Sequence, residues 1–161
     1  MLSDTHLKPW QLSLPPTVVS VLNEVDLVLH AGDIASLAAY EWLAATATVE
    51  AVCGNSDESA LKSLLPRTRV VELGGFRIGL VHGDGFGFPA LTQAKAAFAA
   101  ESGPGLDCVI YGHSHRPALN RIGSTIYLNP GSATDPRWSP EPTYALIDIG
   151  ATLDARLVTI S

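Results

Sequence analysis

Apolar runs of four or five residues that break off into Gly, Asn, Asp or His recur along this chain. Residues 26–30 (DLVLH) lead into Ala31-Gly32-Asp33, and residues 49–53 (VEAVC) into Gly54-Asn55-Ser56-Asp57. Residues 77–81 (RIGLV) lead into His82-Gly83-Asp84, and residues 107–111 (DCVIY) into Gly112-His113-Ser114-His115. Short continuous apolar runs bounded by turn residues read as buried strands. Helix-like stretches lie between them, over roughly residues 16–25, 36–46 and 89–100. The alternation of strand, polar loop and helix predicts an α/β fold with a largely parallel sheet. The later part changes character: residues 125–128, 143–149 and 155–160 read as strands with few helices between them. They predict a second, partly antiparallel sheet packed on the first. Only Met1-Leu2-Ser3 precedes Asp4, where a domain of this kind usually opens on a full strand. The first strand is therefore expected as a stub, either because the true start lies upstream or because the sheet has lost an element.

In open α/β sheets the ligand site lies at the carboxyl ends of the strands, and the polar motifs all sit there. In order they are Asp4 and His6, Asp33, Asn55, His82, then His113 and His115: seven groups from five loops. Carboxylate and amide oxygens with neutral imidazoles suit hard-to-borderline divalent cations. Seven ligands overfill one tetrahedral site and suit two metals. Asp4-Thr5-His6 and His113-Ser114-His115 each place two ligands two residues apart, which in an extended segment puts both on one side. Taken singly the pieces are ordinary. Gly-Asp and Gly-Asn-Ser-Asp make good turns, and His-Gly is commonplace. Together, in order and each at a strand end, they point to a metal site. His30 ends a buried strand and reads as a hydrogen-bonded structural residue or a support to the ligands. Asp57 reads as an orienting group for the Asn55 loop, or as a turn residue.

The bulk composition narrows the chemistry. The 161 residues suit one domain, residues 1–161, and with 47% apolar and 16% charged residues disorder is not expected. Ten Lys+Arg against sixteen Asp+Glu give a net charge of −6, so no stable nucleic-acid binding is expected. A small phosphorylated substrate fits only if bound cations offset that charge. Cys53 and Cys108 end apolar runs and read as buried, reduced thiols. No stretch is long and apolar enough to span a membrane and no signal peptide is visible, so a cytoplasmic protein is expected.

The ordered set Asp4-x-His6, Gly32-Asp33, Gly54-Asn55-x-Asp57, His82-Gly83 and Gly112-His113-x-His115 resembles the calcineurin-like metallophosphoesterases. Asn129-Pro130-Gly131-Ser132 followed by Pro136-Arg137 resembles their small prokaryotic phosphodiesterase branch, related to the retromer scaffold subunit. The resemblance implies a two-sheet sandwich flanked by helices, a four-layer αββα fold. It implies Asp4, His6 and His115 on a first metal, Asn55, His82 and His113 on a second, and Asp33 as the bridge. Manganese is the foremost metal, with iron, zinc, nickel or magnesium as alternatives. The implied reaction is hydrolysis of a small phosphodiester by a hydroxide held between the metals, with Asp33, Asn55 and His113 at its centre. Asn55 and Arg116 are the candidate substrate contacts, and Arg137 reads as a loop anchor. Many family members carry a proton-donating histidine directly after the Gly-Asn pair. Here Ser56 stands there, as in the phosphodiesterase branch, and a hydroxyl has far too high a pKa to replace an imidazole.

The main rival is a non-catalytic scaffold on the same fold, which would be expected to lose ligands. A lactamase-type or His-Glu-x-x-His enzyme lacks its signature here, as does a Gly-x-Ser-x-Gly hydrolase. No motif encodes the substrate. Phe86, Phe88 and Trp138 are candidates for a substrate pocket or for the contact of a homo-oligomer.

Overall fold

Helices start where the sequence offers a start signal. In the computed structural model, which describes residues 1–10, 12–100 and 105–161, α1 (Pro16–Leu22) places a proline in its first turn. Its fixed φ suits a helix start, and its missing N–H is one the first turn does not use. α2 (Leu37–Thr46) is capped by Ser36, whose Oγ accepts the Ala39 N–H at 3.2 Å. The short α3 (Ser59–Leu64) was not visible as a periodic stretch, because six residues cover less than two turns. α4 (Ala90–Ala97) follows Pro89 and is shorter than expected.

The strands are β1 (Val28–His30), β2 (Val49–Ala51), β3 (Thr68–Leu73), β4 (Phe76–Val81), β5 (Cys108–Ile110), β6 (Ala118–Ile122), β7 (Thr125–Asn129), β8 (Thr143–Ile149) and β9 (Leu153–Thr159). Five form one mixed sheet in the order β3-β4-β5-β7-β6. β4, β5 and β7 run parallel, and the antiparallel strands β3 and β6 flank them as hairpin partners. This corrects two expectations. Residues 125–129 belong to the central sheet, because the β6–β7 hairpin turns the chain back alongside β5. That sheet is also less parallel than expected, since both its edge strands are antiparallel. β6 escaped the reading because four of its five residues are exposed, leaving no apolar period.

The second layer joins β2 and β1, paired in parallel, to the β8–β9 ribbon. The join is the expected stub. Leu2 N–H donates to Leu29 O at 3.0 Å, and Ala31 N–H donates to Leu2 O at 2.9 Å. On its other side Ala145 N–H donates to Met1 O at 3.2 Å. Between the two layers lies an apolar cluster that includes Leu29, Val52, Ile78, Leu80, Ile110, Leu128 and Ala145. α1, α2 and α3 cover the outer face of the second layer through Val18, Leu22, Leu43 and Leu61. α4 covers the outer face of the central sheet through Ala90 and Ala94. The result is the four-layer αββα sandwich. Both cysteines are buried free thiols, and burial pushes Cys108 up to about 12. No helix among the described residues is long and apolar enough to cross a membrane.

Candidate metal centre

Five loops at the carboxyl ends of β1, β2, β4, β5 and β7 converge with the segment that follows the stub. Two glycines allow the approach. A Cβ on Gly54 would lie 2.1 Å from Asp33 Oδ1, and one on Gly112 would lie 1.8 Å from Ser3 Oγ and 2.7 Å from Asp4 Oδ2. No larger residue fits without moving a candidate ligand.

At the meeting point Asp4, Asp33, His82 and His115 are each 2% exposed or less, and His6 is partly buried, its side chain 14% exposed. Ligand atoms of Asp4, His6 and His115 lie within 4.8 Å of one another, and so do those of Asp4, Asp33 and His82. The first group coincides with the first ligand set implied by the resemblance. In the second, Asp4 stands with Asp33 and His82. Asp33 Oδ2 sits between the groups, 3.3 Å from His82 Nε2 and 3.7 Å from His6 Nε2. Asn55 and His113 pair at the exposed mouth, with His113 Nδ1 3.1 Å from Asn55 Oδ1. Arg116 is exposed, and its guanidinium has no partner among the described residues.

Five of the seven candidate ligands have left-handed backbones: φ is 54° at Asp4, 44° at His6, 57° at Asp33, 67° at His113 and 56° at His115. This corrects the expectation that the two Asp/His-x-His segments are extended. Their i, i+2 pairs are aimed by tight turns rather than by the pleat of a strand. Each such residue costs about 1 kcal/mol or more and persists only where its surroundings over-determine it. The Asp4–His6 segment is so held. Its Asp4 and His6 N–H groups donate to Gly32 and Asp33 carbonyls at 3.0 Å. Ser132 Oγ donates to Asp4 O at 2.7 Å, and Thr134 Oγ1 to Thr5 O at 2.6 Å. Carbonyls and hydroxyls of two other loops thus hold this segment in place.

The imidazoles are presented in defined tautomers. His82 Nδ1 donates to Ala31 O at 2.8 Å, and His115 Nδ1 donates to the carbonyl of Asp135, so both turn Nε2 into the centre. His82 Nε2 is fully buried without a hydrogen-bond partner among the described residues; the nearest carboxylate, Asp33, is outside hydrogen-bond alignment. An orphaned imidazole nitrogen between two buried carboxylates is what a cation site leaves behind, and the donor set fits divalent metals. The electrostatics agree. Burial pulls the His82 pKa down, but its contact with Asp33 and the charges of Asp4 and Asp33 outweigh it and raise it to about 9. Burial would raise the Asp33 pKa, yet His82 and the Ser56 N–H hold it far below the usual carboxylate range. Both shifts have one cause, two buried carboxylates that draw positive charge to this point.

His30 belongs to neither group of ligand atoms. Its Nδ1 accepts the Gly32 N–H at 3.2 Å, so Nε2 carries the proton and donates to Thr5 Oγ1 at 3.0 Å. Burial lowers its pKa to about 3. Asp57 is buried and its two oxygens accept the Ala35 and Gly54 N–H groups, each at 2.7 Å. It therefore ties the Asp33 loop to the Asn55 loop. Four supporting residues were missed: Ser3, whose Oγ donates to Asp4 Oδ2 at 2.5 Å, Thr5, Ser132, and Asn129, whose Nδ2 donates to Gly112 O at 2.9 Å. Asn129 and Ser132 stood at a strand end within a quoted motif, and the strand-end rule applied to them too.

The pattern of the calcineurin-like phosphoesterase superfamily domain matches residues 1–152. A probable metallophosphoesterase of Methanothermobacter thermautotrophicus is 35% identical over 159 residues, 98% of this chain and 90% of its own. The fold is similar to wild-type Vps29 of Entamoeba histolytica complexed with zinc, at a TM-score of 0.70 and 25% identity over 98% of this chain and 96% of that one. It is also similar to a novel archaeal phosphodiesterase, at a TM-score of 0.74 and 24% identity over 99% and 97% of the two chains. With its strand-end loops converging on one buried Asp/His cluster, this chain belongs to the calcineurin-like phosphoesterase superfamily.

Proposed function

We propose that this chain is a phosphodiesterase that works with two divalent metal ions, manganese foremost. The observation that carries the reading is the buried knot of Asp4, His6, Asp33, His82 and His115, with the His82 nitrogen left unpartnered inside it. Asp4, His6 and His115 would hold one ion. His82, Asn55 and His113 would hold the other, with Asp33 between them. When bound, such ions supply Lewis acidity, neutralising phosphoryl oxygens and activating water as the nucleophile. The chain's own part is to hold that charge in a fixed place. Asp33 is fixed by the Ser56 N–H at 2.8 Å, and His82 and His115 by backbone carbonyls. Asn55 and His113, at the open mouth, are placed to meet a phosphoryl oxygen that enters from solvent.

The diester preference rests on the resemblance to the small phosphodiesterase branch, which shares the absence of a histidine at the Ser56 position; Ser56 itself bears on the leaving group. It lies beside Asn55, whose Nδ2 donates to Ser56 Oγ at 3.3 Å, and it offers no acidic proton to a leaving alkoxide. Substrates whose leaving group departs without protonation suit such a site. A scaffold on the same fold has no use for two carboxylates and three imidazoles gathered in one place, four of the five on left-handed backbones, which cost stability unless a cation compensates them. The similarity to an archaeal phosphodiesterase and to a zinc-bound Vps29 supports the reading at the level of fold and of metal. The test is Asp33→Ala, with metal content and hydrolysis of bis(p-nitrophenyl) phosphate measured on the same sample. Both are expected to fall together, and a variant that hydrolyses as fast as the parent would refute the two-metal reading.

A further inference from the structure

A second chemistry stands on the flank of the metal centre. Thr5, His6, Lys8, Thr134, Asp135 and Arg137 line a cleft of about 370 Å³. His6 belongs to both places, since its Nε2 faces Asp33 while its ring walls the cleft. Arg137 Nη2 lies 3.5 Å from His6 Nε2, and its Nε donates to Asp135 Oδ2 at 3.2 Å. The Lys8 ammonium has no partner among the described residues. Lys8 and Arg137 against the single carboxylate of Asp135 leave the lining of the cleft net positive in a chain whose net charge is −6.

The placement is built rather than incidental. Ser132 Oγ accepts the Asp135 N–H at 2.9 Å while donating to Asp4 O, and Thr134 Oγ1 donates to Thr5 O. The Arg137 loop is thereby registered on the ligand segment itself. Arg137 also has a left-handed backbone, φ 49°, which turns the chain sharply just after the motif. Arginine with one edge bound to a carboxylate still presents an N–H edge to an oxyanion.

We infer that this cleft is a substrate subsite for a second anionic group, and that the substrate is a phosphodiester carrying a further phosphate beside the ester that reacts. Arg137 and Lys8 hold that phosphate. The inference rests on the phosphodiesterase reading above, and it assigns to Arg137 a substrate contact in place of a mere loop anchor.

The test uses a matched pair of substrates, the p-nitrophenyl ester of thymidine 5′-phosphate with and without a 3′-phosphate. The parent is expected to favour the 3′-phosphorylated compound by about tenfold in kcat/KM, the worth of one charged hydrogen bond. Arg137→Met should bring the ratio close to one, and Arg137→Lys should keep part of it. Lys8→Met, an exposed change that leaves the fold alone, should lower it too. A parent ratio near one overturns the subsite even if both compounds are hydrolysed. If neither is hydrolysed, the hydrolase reading fails, and inorganic pyrophosphate added to chelated protein decides the subsite. Saturable quenching of tryptophan fluorescence that Arg137→Met and Lys8→Met weaken supports it; no response, or an equal response in all three proteins, overturns it. Trp138, 81% exposed and adjacent to Arg137, is the reporter.

Discussion

Asp57→Asn tests how the centre is held together. The parent carboxylate is 3% exposed and accepts two backbone N–H groups, from Ala35 and Gly54, each at 2.7 Å. Ala35 has φ 95°, a conformation that alanine rarely adopts and that this bond helps to hold. Asparagine keeps the shape but turns one acceptor into an NH2 group, so one buried N–H loses its partner and faces another donor. Leaving it unsatisfied, with the charge removed from the remaining bond, costs about 2–4 kcal/mol. For a chain of this size that is a fall of roughly 5–15 °C in the unfolding midpoint. The loops it joins carry Asp33 and Asn55, so manganese affinity should also drop, by about 10–100-fold. Differential scanning calorimetry of the metal-free protein and calorimetric titration with manganese read the two effects separately. A midpoint within about 2 °C of the parent, together with unchanged manganese affinity, would refute the clamp.

Three further outcomes follow. Gly54→Ala would put a methyl 2.1 Å from Asp33 Oδ1, and overpacking of this kind costs about 1–3 kcal/mol; manganese binding should weaken more than that stability loss alone implies. Ser56→His should speed hydrolysis of diesters with poor alkyl leaving groups by about 10–100-fold while changing p-nitrophenyl esters much less; a uniform change across leaving groups would exclude acid catalysis from this position. Below pH 6.5 the unfolded chain protonates His30 while the folded protein refuses the proton down to about 3, so the stability that this residue contributes is complete above 6.5 and declines as the pH falls through that window. The limb is about 1.4 kcal/mol per pH unit from this residue, and urea unfolding should show it flattened in His30→Gln.

The candidate ligands were legible because each is a polar residue that breaks an apolar strand, and strand ends converge by topology. Three buried strands were legible for the same reason: β4 and β5 of the central sheet and β1 of the second layer are short runs with almost nothing polar in them. What stayed hidden depends on packing or on backbone angles. β6 is exposed and carries no period, so the hairpin that brings β7 into the central sheet was invisible. The left-handed turns at Asp4, His6, His113 and His115 have only a weak local signature, the modest left-handed tendency of Asp and His, and the surrounding bonds settle the conformation. Ser132 and Thr134 look like ordinary loop residues until their hydroxyls are seen to hold carbonyls at the other end of the chain. Arg137 reads as a loop anchor; its nearness to His6 is a tertiary fact that its position in the sequence does not carry.

On the proposed function, two cations, and not the side chains alone, carry the reaction. Manganese titrated into exhaustively chelated protein, with the rate of bis(p-nitrophenyl) phosphate hydrolysis followed at each addition, tests it most directly. The rate should be negligible without metal and should saturate near two equivalents, as expected for a two-metal site. Hydrolysis that persists in the chelated protein, or that reaches its full rate at one equivalent, would contradict the account.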